Sequence, residues 1–220
     1  MKKVLKKYYL NVIILLFGIF LMAVGGVLFL EASLGGDALL VMNQGLGNTL
    51  KVEPGTAMII SNMIVLSFIF IFFRKSIGLS TLLVTVLLGL AVNGIASLNI
   101  IKGSSYLFIN ILMVLAGVIV GGFGVALYIY ADLGLSPFEG VIIFVMEKTK
   151  KRFFLIKIIN DIVLFTLGFI MGGVIGIGSI MTVFLFGPVI DIYLVLLKKT
   201  KLIKQKEVKH LDEISIENES

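Results

Sequence analysis

Between Asn11 and Leu30 the chain reads NVIILLFGIFLMAVGGVLFL, twenty residues without a charged side chain. A helix on the surface of a soluble domain keeps one polar face, so a run that is apolar all round must lie in apolar surroundings. About 20 such residues cross the hydrocarbon core of a bilayer as one helix. Comparable runs lie at 56 to 73, 78 to 98, 105 to 130, 153 to 174 and 177 to 197, and with the first, at 10 to 31, they make six. Mean hydropathy is +1.12 and the apolar share is 59%, above the roughly 45–50% of soluble domains. The expected fold class is therefore all-α, a polytopic membrane protein with six transmembrane helices. Two apolar stretches are left over, 37 to 46 and 137 to 147, and both are too short to cross.

Basic residues orient this layout, because cytoplasmic loops retain Lys and Arg. With the N-terminus inside, seventeen of the nineteen basic residues fall on the cytoplasmic side. They are Lys2, Lys3, Lys6 and Lys7, then Arg74 and Lys75, then Lys148, Lys150, Lys151, Arg152 and Lys157, then six lysines from Lys198 onward. Lys51 and Lys102 fall outside. Both termini are expected in the cytoplasm. The net charge of +6 is explained by these flanks and their lipid headgroups, since no aromatic-studded basic patch suggests nucleic acid. The first run exceeds the roughly 7 to 15 residues of a signal-peptide core and is expected to be retained.

The chain also repeats itself. ASLGGDALL from Ala32 returns 99 residues later as ADLGLSPFE from Ala131. At the same shift Asn11 meets Asn110, Gly18 meets Gly117, Gly25 meets Gly124 and Asn62 meets Asp161. After a one-residue slip Gly89 meets Gly187 and Asn93 meets Asp191. The expected organisation is a three-helix repeat over 1–98, a second over 99–197 and a polar cytoplasmic tail over 198–220. Three spans are an odd number, so the second copy enters the membrane inverted.

Chemistry has little material to work with. There is no Cys, and the single His210 lies in the polar tail, so thiol nucleophiles, His-ligated metals and triad hydrolysis are excluded. No cofactor and no enzyme activity are expected. The two short stretches carry the functional signal, because interrupted apolar segments at matching positions of two halves point to a transporter's midplane site. Ser136, Pro137 and Glu139 form a capping box with Pro at the first helical position. In the first copy Gly36 and Asp37 supply a start, and Gly45 and Gly47 a stop. Interfacial helices lying on the membrane are the plainer alternative. Asp161 and Asp191 sit inside spans, where a charge is costly unless paired or hydrated. Their counterparts Asn62 and Asn93 are uncharged, so this pair of positions carries carboxylates in the second half alone. Glu31, Asp37, Asp132 and Glu139 gather around the short segments, and Asp37 and Asp132 can be read as simple helix caps. Candidate residues for a substrate or ion site are Asp37, Asn62, Asn93, Asp132, Ser136, Glu139, Asp161 and Asp191. Gly117 with Gly121, and Gly168 with Gly172, are small-residue pairs that let helices approach. GVIGIGS at 173–179 is read as a tight turn.

ADLGLSPFEG, together with GSIMTVFLFGPVIDIYL from Gly178 to Leu194, resembles the YczE/YyaS/YitT family of bacterial membrane proteins. The resemblance runs from the first span to about Leu197 and implies a membrane location and a duplicated architecture. It names no substrate. Phe138 and Glu139 stand where that family often places an Asp two residues after the Pro, and the first half lacks the Ser-Pro pair. The expected function is a permease of a small solute with its site between the repeats. The alternative is an accessory protein that supports another membrane enzyme or complex. A third reading is the substrate-binding membrane subunit of an ATP-driven importer. Expected partners are the bilayer, a small molecule, and either a second copy or another membrane protein.

Overall fold

The computed structural model describes residues 2–72, 79–134, 136–151 and 153–200. The Arg74–Lys75 loop and the tail from residue 201, with His210, lie outside the described residues. All the described regular structure is helical: α1 (Lys2–Ala32), α2 (Ala38–Leu50), α3 (Pro54–Phe72), α4 (Leu79–Leu83), a π turn (Val84–Leu88), α5 (Gly89–Ser97), α6 (Leu107–Tyr130), α7 (Pro137–Thr149), α8 (Phe153–Ile170) and α9 (Ile177–Thr200).

Among the described residues four helices are long and apolar enough to cross a membrane: Tyr9–Ala32, Pro54–Ile71, Leu107–Ala131 and Ile177–Leu197. The chain is a membrane protein on this ground. The run expected over 78–98 is interrupted by the π turn, and α8 ends at Ile170, short of its expected boundary. Past Ile170 the chain turns at Gly172, whose φ of +85° suits glycine.

Helices α1 and α6 form the central pair. Their glycines face one another, and a Cβ added at Gly25 would stand 2.6 Å from the Gly121 Cα. Backbones approach this closely only where side chains are absent, which maximises dispersion contact between helices in lipid.

The two short helices match in length and register. Each has thirteen residues, and their first residues, Ala38 and Pro137, are 99 positions apart. Each ends on a left-handed lysine, Lys51 and Lys150, again 99 apart. In the turns that lead into them, Ser33 with Asp132 and Gly35 with Gly134 hold positive φ at the same spacing.

Helix α2 does not stop at Gly45 or Gly47, as its composition suggests, but runs on to Leu50. Gly45 serves packing instead, because its missing Cβ leaves room for the Gly168 carbonyl of α8. The pairing runs along the helix: Ala38 and Met42 share a buried cluster with Leu164, and Asn48 donates to the Gly172 carbonyl at 2.7 Å. So α2 lies beside the C-terminal half of α8, with its N-terminus toward the middle of α8. Phe138, at the start of α7, packs on the same Ala38–Met42–Leu164 cluster. Helix α7 meets α3 through Gly140 against Ile69 and an edge-to-face contact of Phe68 with Phe144 at 6.2 Å.

Candidate functional site

A cavity of about 110 Å³ opens at the N-terminus of α2. Most of its wall is apolar, with Met22 and Phe29 from α1, Met58 from α3, Val92 from α5, Val125 from α6 and Phe186 from α9. Phe29 and Phe186 meet edge to face, with centroids 6.2 Å apart. Three polar side chains enter it: Asp37, Asn43 and Asn62.

Each is positioned by local helix chemistry. Asp37 is the N-cap of α2, and its Oδ1 accepts the Leu40 N–H at 3.0 Å. That is the usual work of an Asp before a helix, and the Leu39 N–H adds a weaker bond to the same carboxylate. Asn43 sits on α2 and is 2% exposed; its Oδ1 accepts from the Ser61 hydroxyl of α3 at 2.6 Å. Asn62 follows Ser61 and is 5% exposed, yet its amide makes no hydrogen bond among the described residues. A primary amide has two donors and an acceptor, and those of Asn62 are not sealed away from the cavity it lines.

Burial pushes the Asp37 carboxyl above its usual range, opposed by the Leu40 N–H and by Lys157, while Asp161 pushes it further up. Lys157 and Asp161 are a pair on α8, with Nζ 2.9 Å from Oδ1 and 2.8 Å from Oδ2. This i,i+4 pair is partly exposed and gives little stability of its own. Its role near Asp37 is electrostatic: two carboxylates share one ammonium, leaving one negative charge when both are ionised.

The structure thus gathers Asp37, Asn62 and, in electrostatic range, Asp161. The other five candidates stand elsewhere. Asn93 clamps α3 to α5: its Oδ1 accepts the Gly55 N–H at 2.8 Å and its Nδ2 donates to Thr56 Oγ1 at 2.9 Å. Ser136 and Glu139 complete a reciprocal capping box on α7, and the Tyr128 hydroxyl donates to Glu139 Oε2 at 2.9 Å. Asp132 is exposed in a turn, with φ of +49°. Asp191 is exposed on α9 and does not line the cavity. Asn43 and Ser61 were not among the sequence candidates; two adjacent polar residues, Ser61–Asn62, inside an apolar run were the available signal. Among the described residues no cluster of His, Cys, Asp and Glu could hold a metal ion.

The model of a family of unknown function, DUF6198, matches residues 9–194, and the chain belongs to that family. It is similar to an uncharacterized protein of Haemophilus influenzae, 27% identical over 187 residues that cover 84% of each chain. No solved structure matches.

Proposed function

We propose that this protein is a permease of a small solute in the bacterial cell membrane, built of six spans as two inverted three-helix repeats with both termini in the cytoplasm. On this proposal the chain is also a relative of the YczE/YyaS/YitT proteins. One observation carries it: a cavity at the N-terminus of a half-length helix, walled by helices from both halves, holds buried amides with unused hydrogen-bonding capacity. Sites of this kind, at discontinuous helices between repeats, are where secondary transporters hold substrate.

Unequal closure of the two halves supports the same function. Asn93 and the Gly55–Gly89 contact seal α3 to α5, whereas Gly187, the counterpart of Gly89, has open space beside it. With the N-terminus inside, the α3–α5 seal lies toward the outer face and the unsealed α8–α9 pair toward the cytoplasm, which on this proposal is an inward-facing state. Purified protein in liposomes, given a panel of labelled small solutes with and without a pH gradient, should show saturable, protein-dependent flux that Asp37→Asn abolishes. Liposomes no leakier than protein-free controls across the panel would contradict it.

One observation favours an accessory protein instead. Asp191 is exposed on α9, whose apolar stretch is only 6% buried, and a carboxylate on a lipid-facing helix calls for a partner or water. A stoichiometric partner that co-purifies in mild detergent and is lost with Asp191→Leu would support it.

A further inference from the structure

The cavity carries information about its occupant. Its walls are apolar, so the occupant has an apolar body or is very small. A cavity of 150 Å³ holds benzene, so about 110 Å³ admits roughly four or five non-hydrogen atoms. Charge decides the polar end. Asp37 is the one charged side chain that lines the cavity, and the nearby Lys157 is already engaged by both oxygens of Asp161. The remaining negative charge lies among apolar side chains, where an uncompensated charge is strongly disfavoured. It must be balanced by a proton or by a cation.

Side-chain chemistry chooses the cation. Asn62 brings an amide oxygen that accepts no protein hydrogen bond among the described residues, and the Asp37 carboxylate can accept more than its backbone cap bonds, so two acceptor groups line one small space. An ammonium group has three N–H donors and suits such a set, whereas a carboxylate or phosphate would face the Asp37 charge. A bare metal ion is a poorer match, since among the described residues no cluster of ligating side chains surrounds the space.

We infer that the cavity binds a small primary ammonium ion, from ammonium to a short-chain alkylamine, with its nitrogen between Asp37 and Asn62 and its carbon chain against Phe29 and Phe186. The inference rests on the permease proposal for its physiological meaning and names the class of solute carried. Binding exchanges one charge for another: the protonated Asp37 carboxyl releases its proton as the alkylammonium enters, and net charge in the cavity stays constant. Of the charged groups near Asp37, Lys157 and Asp161 come from α8; Glu31 on α1 is turned away, its Oε2 lying 3.4 Å from the Gly103 N–H. The remaining walls contribute no charge.

Equilibrium binding separates this inference from the permease proposal. The full chain in a non-ionic detergent is titrated by calorimetry with n-propylammonium chloride, and with n-propanol and sodium chloride as size and charge controls. The expected result is saturable binding of the amine alone, with release of a proton. Affinity should rise about tenfold per pH unit while the carboxyl is protonated and level off above that range. Asp37→Asn, which retains a good N-cap, should weaken binding at least about tenfold, the scale of one charge-assisted hydrogen bond, and remove its pH dependence. Asn62→Ala should weaken it by a smaller factor with the pH dependence kept. Absence of amine binding, or equal binding by Asp37→Asn, overturns the inference even if liposomes carry some other solute. Amine binding without flux upholds the inference and sinks the permease.

Discussion

The α3–α5 pair and the α8–α9 pair stand about a hundred positions apart in the sequence and pack in opposite ways. In the first half Gly55 and Gly89 touch at backbone distance and Asn93 uses both ends of its amide to bind Gly55 and Thr56. In the second half Gly187 meets nothing within 4 Å, Asp191 is exposed, and no comparable packing joins α8 to α9 among the described residues. The lesson lies in the partners. Gly89 and Gly187 are the same residue, but 99 positions after Gly55 and Thr56 stand Phe154 and Leu155. Without a glycine opposite, helices cannot close to backbone contact; without a hydroxyl, a side-chain amide or carboxylate has one bond fewer. The α3–α5 pair is therefore clamped and the α8–α9 pair is not, the asymmetry that the proposed carrier needs at rest.

The largest effect expected from breaking this contrast is at Gly89. Gly89→Leu forces the side chain onto the Gly55 carbonyl and Ile59, and unfolding in detergent should come easier by about 3 kcal/mol, the upper range for overpacking. Next is Asn93→Ala, which leaves the Gly55 N–H and Thr56 hydroxyl unpaired and should cost about 1–2 kcal/mol in the same assay. Ser136→Ala removes the α7 cap and should cost about 1 kcal/mol, whereas Asp37→Asn keeps the α2 cap. Smallest is Gly187→Ala, which clashes with nothing and gains helix propensity, so stability should rise by up to about 1 kcal/mol. Equal losses at Gly89 and Gly187 would erase the distinction between the halves.

Acidity sharpens a second contrast, between the cap residues Asp37 and Ser136. The folded carboxyl of Asp37 is raised above 3.8 by burial, so the folded state holds its proton more tightly than the unfolded chain does. Its contribution is fully present below pH about 3.8 and is lost as pH rises through the folded value. Subtracting the pH–stability curve of Asp37→Asn from that of the natural chain should leave this fall with rising pH. A flat difference would place the carboxyl in water.

Much of the architecture was legible because its causes are local. Apolar runs mark α1, α3, α6 and α9, and Ser136, Pro137 and Glu139 mark the start of α7 through bonds made within three residues. The Lys157–Asp161 pair stands at plain i,i+4 spacing, yet in the sequence Lys157 reads as a topology signal and Asp161 as a lone carboxylate, and the two are not joined there. The site itself was not legible, since it depends on which helix faces meet. Asp37 and Asn62 line one cavity because α2 packs against α3, where Asn43 finds Ser61 across the two helices. Gly45 looked like a stop because a glycine that ends a helix and one that admits a neighbouring backbone are the same letter.

The central claim is that the Asp37 cavity belongs to a carrier closed on one side. The chain has no Cys, so a single Asn62→Cys gives one thiol in the cavity. It is challenged with a membrane-impermeant maleimide in right-side-out and in inverted vesicles. Labelling should be fast from the cytoplasmic face, slow from the outer face, and slowed on both by propylammonium. A thiol that reacts equally from the two faces, or from neither until the protein is denatured, would contradict the claim.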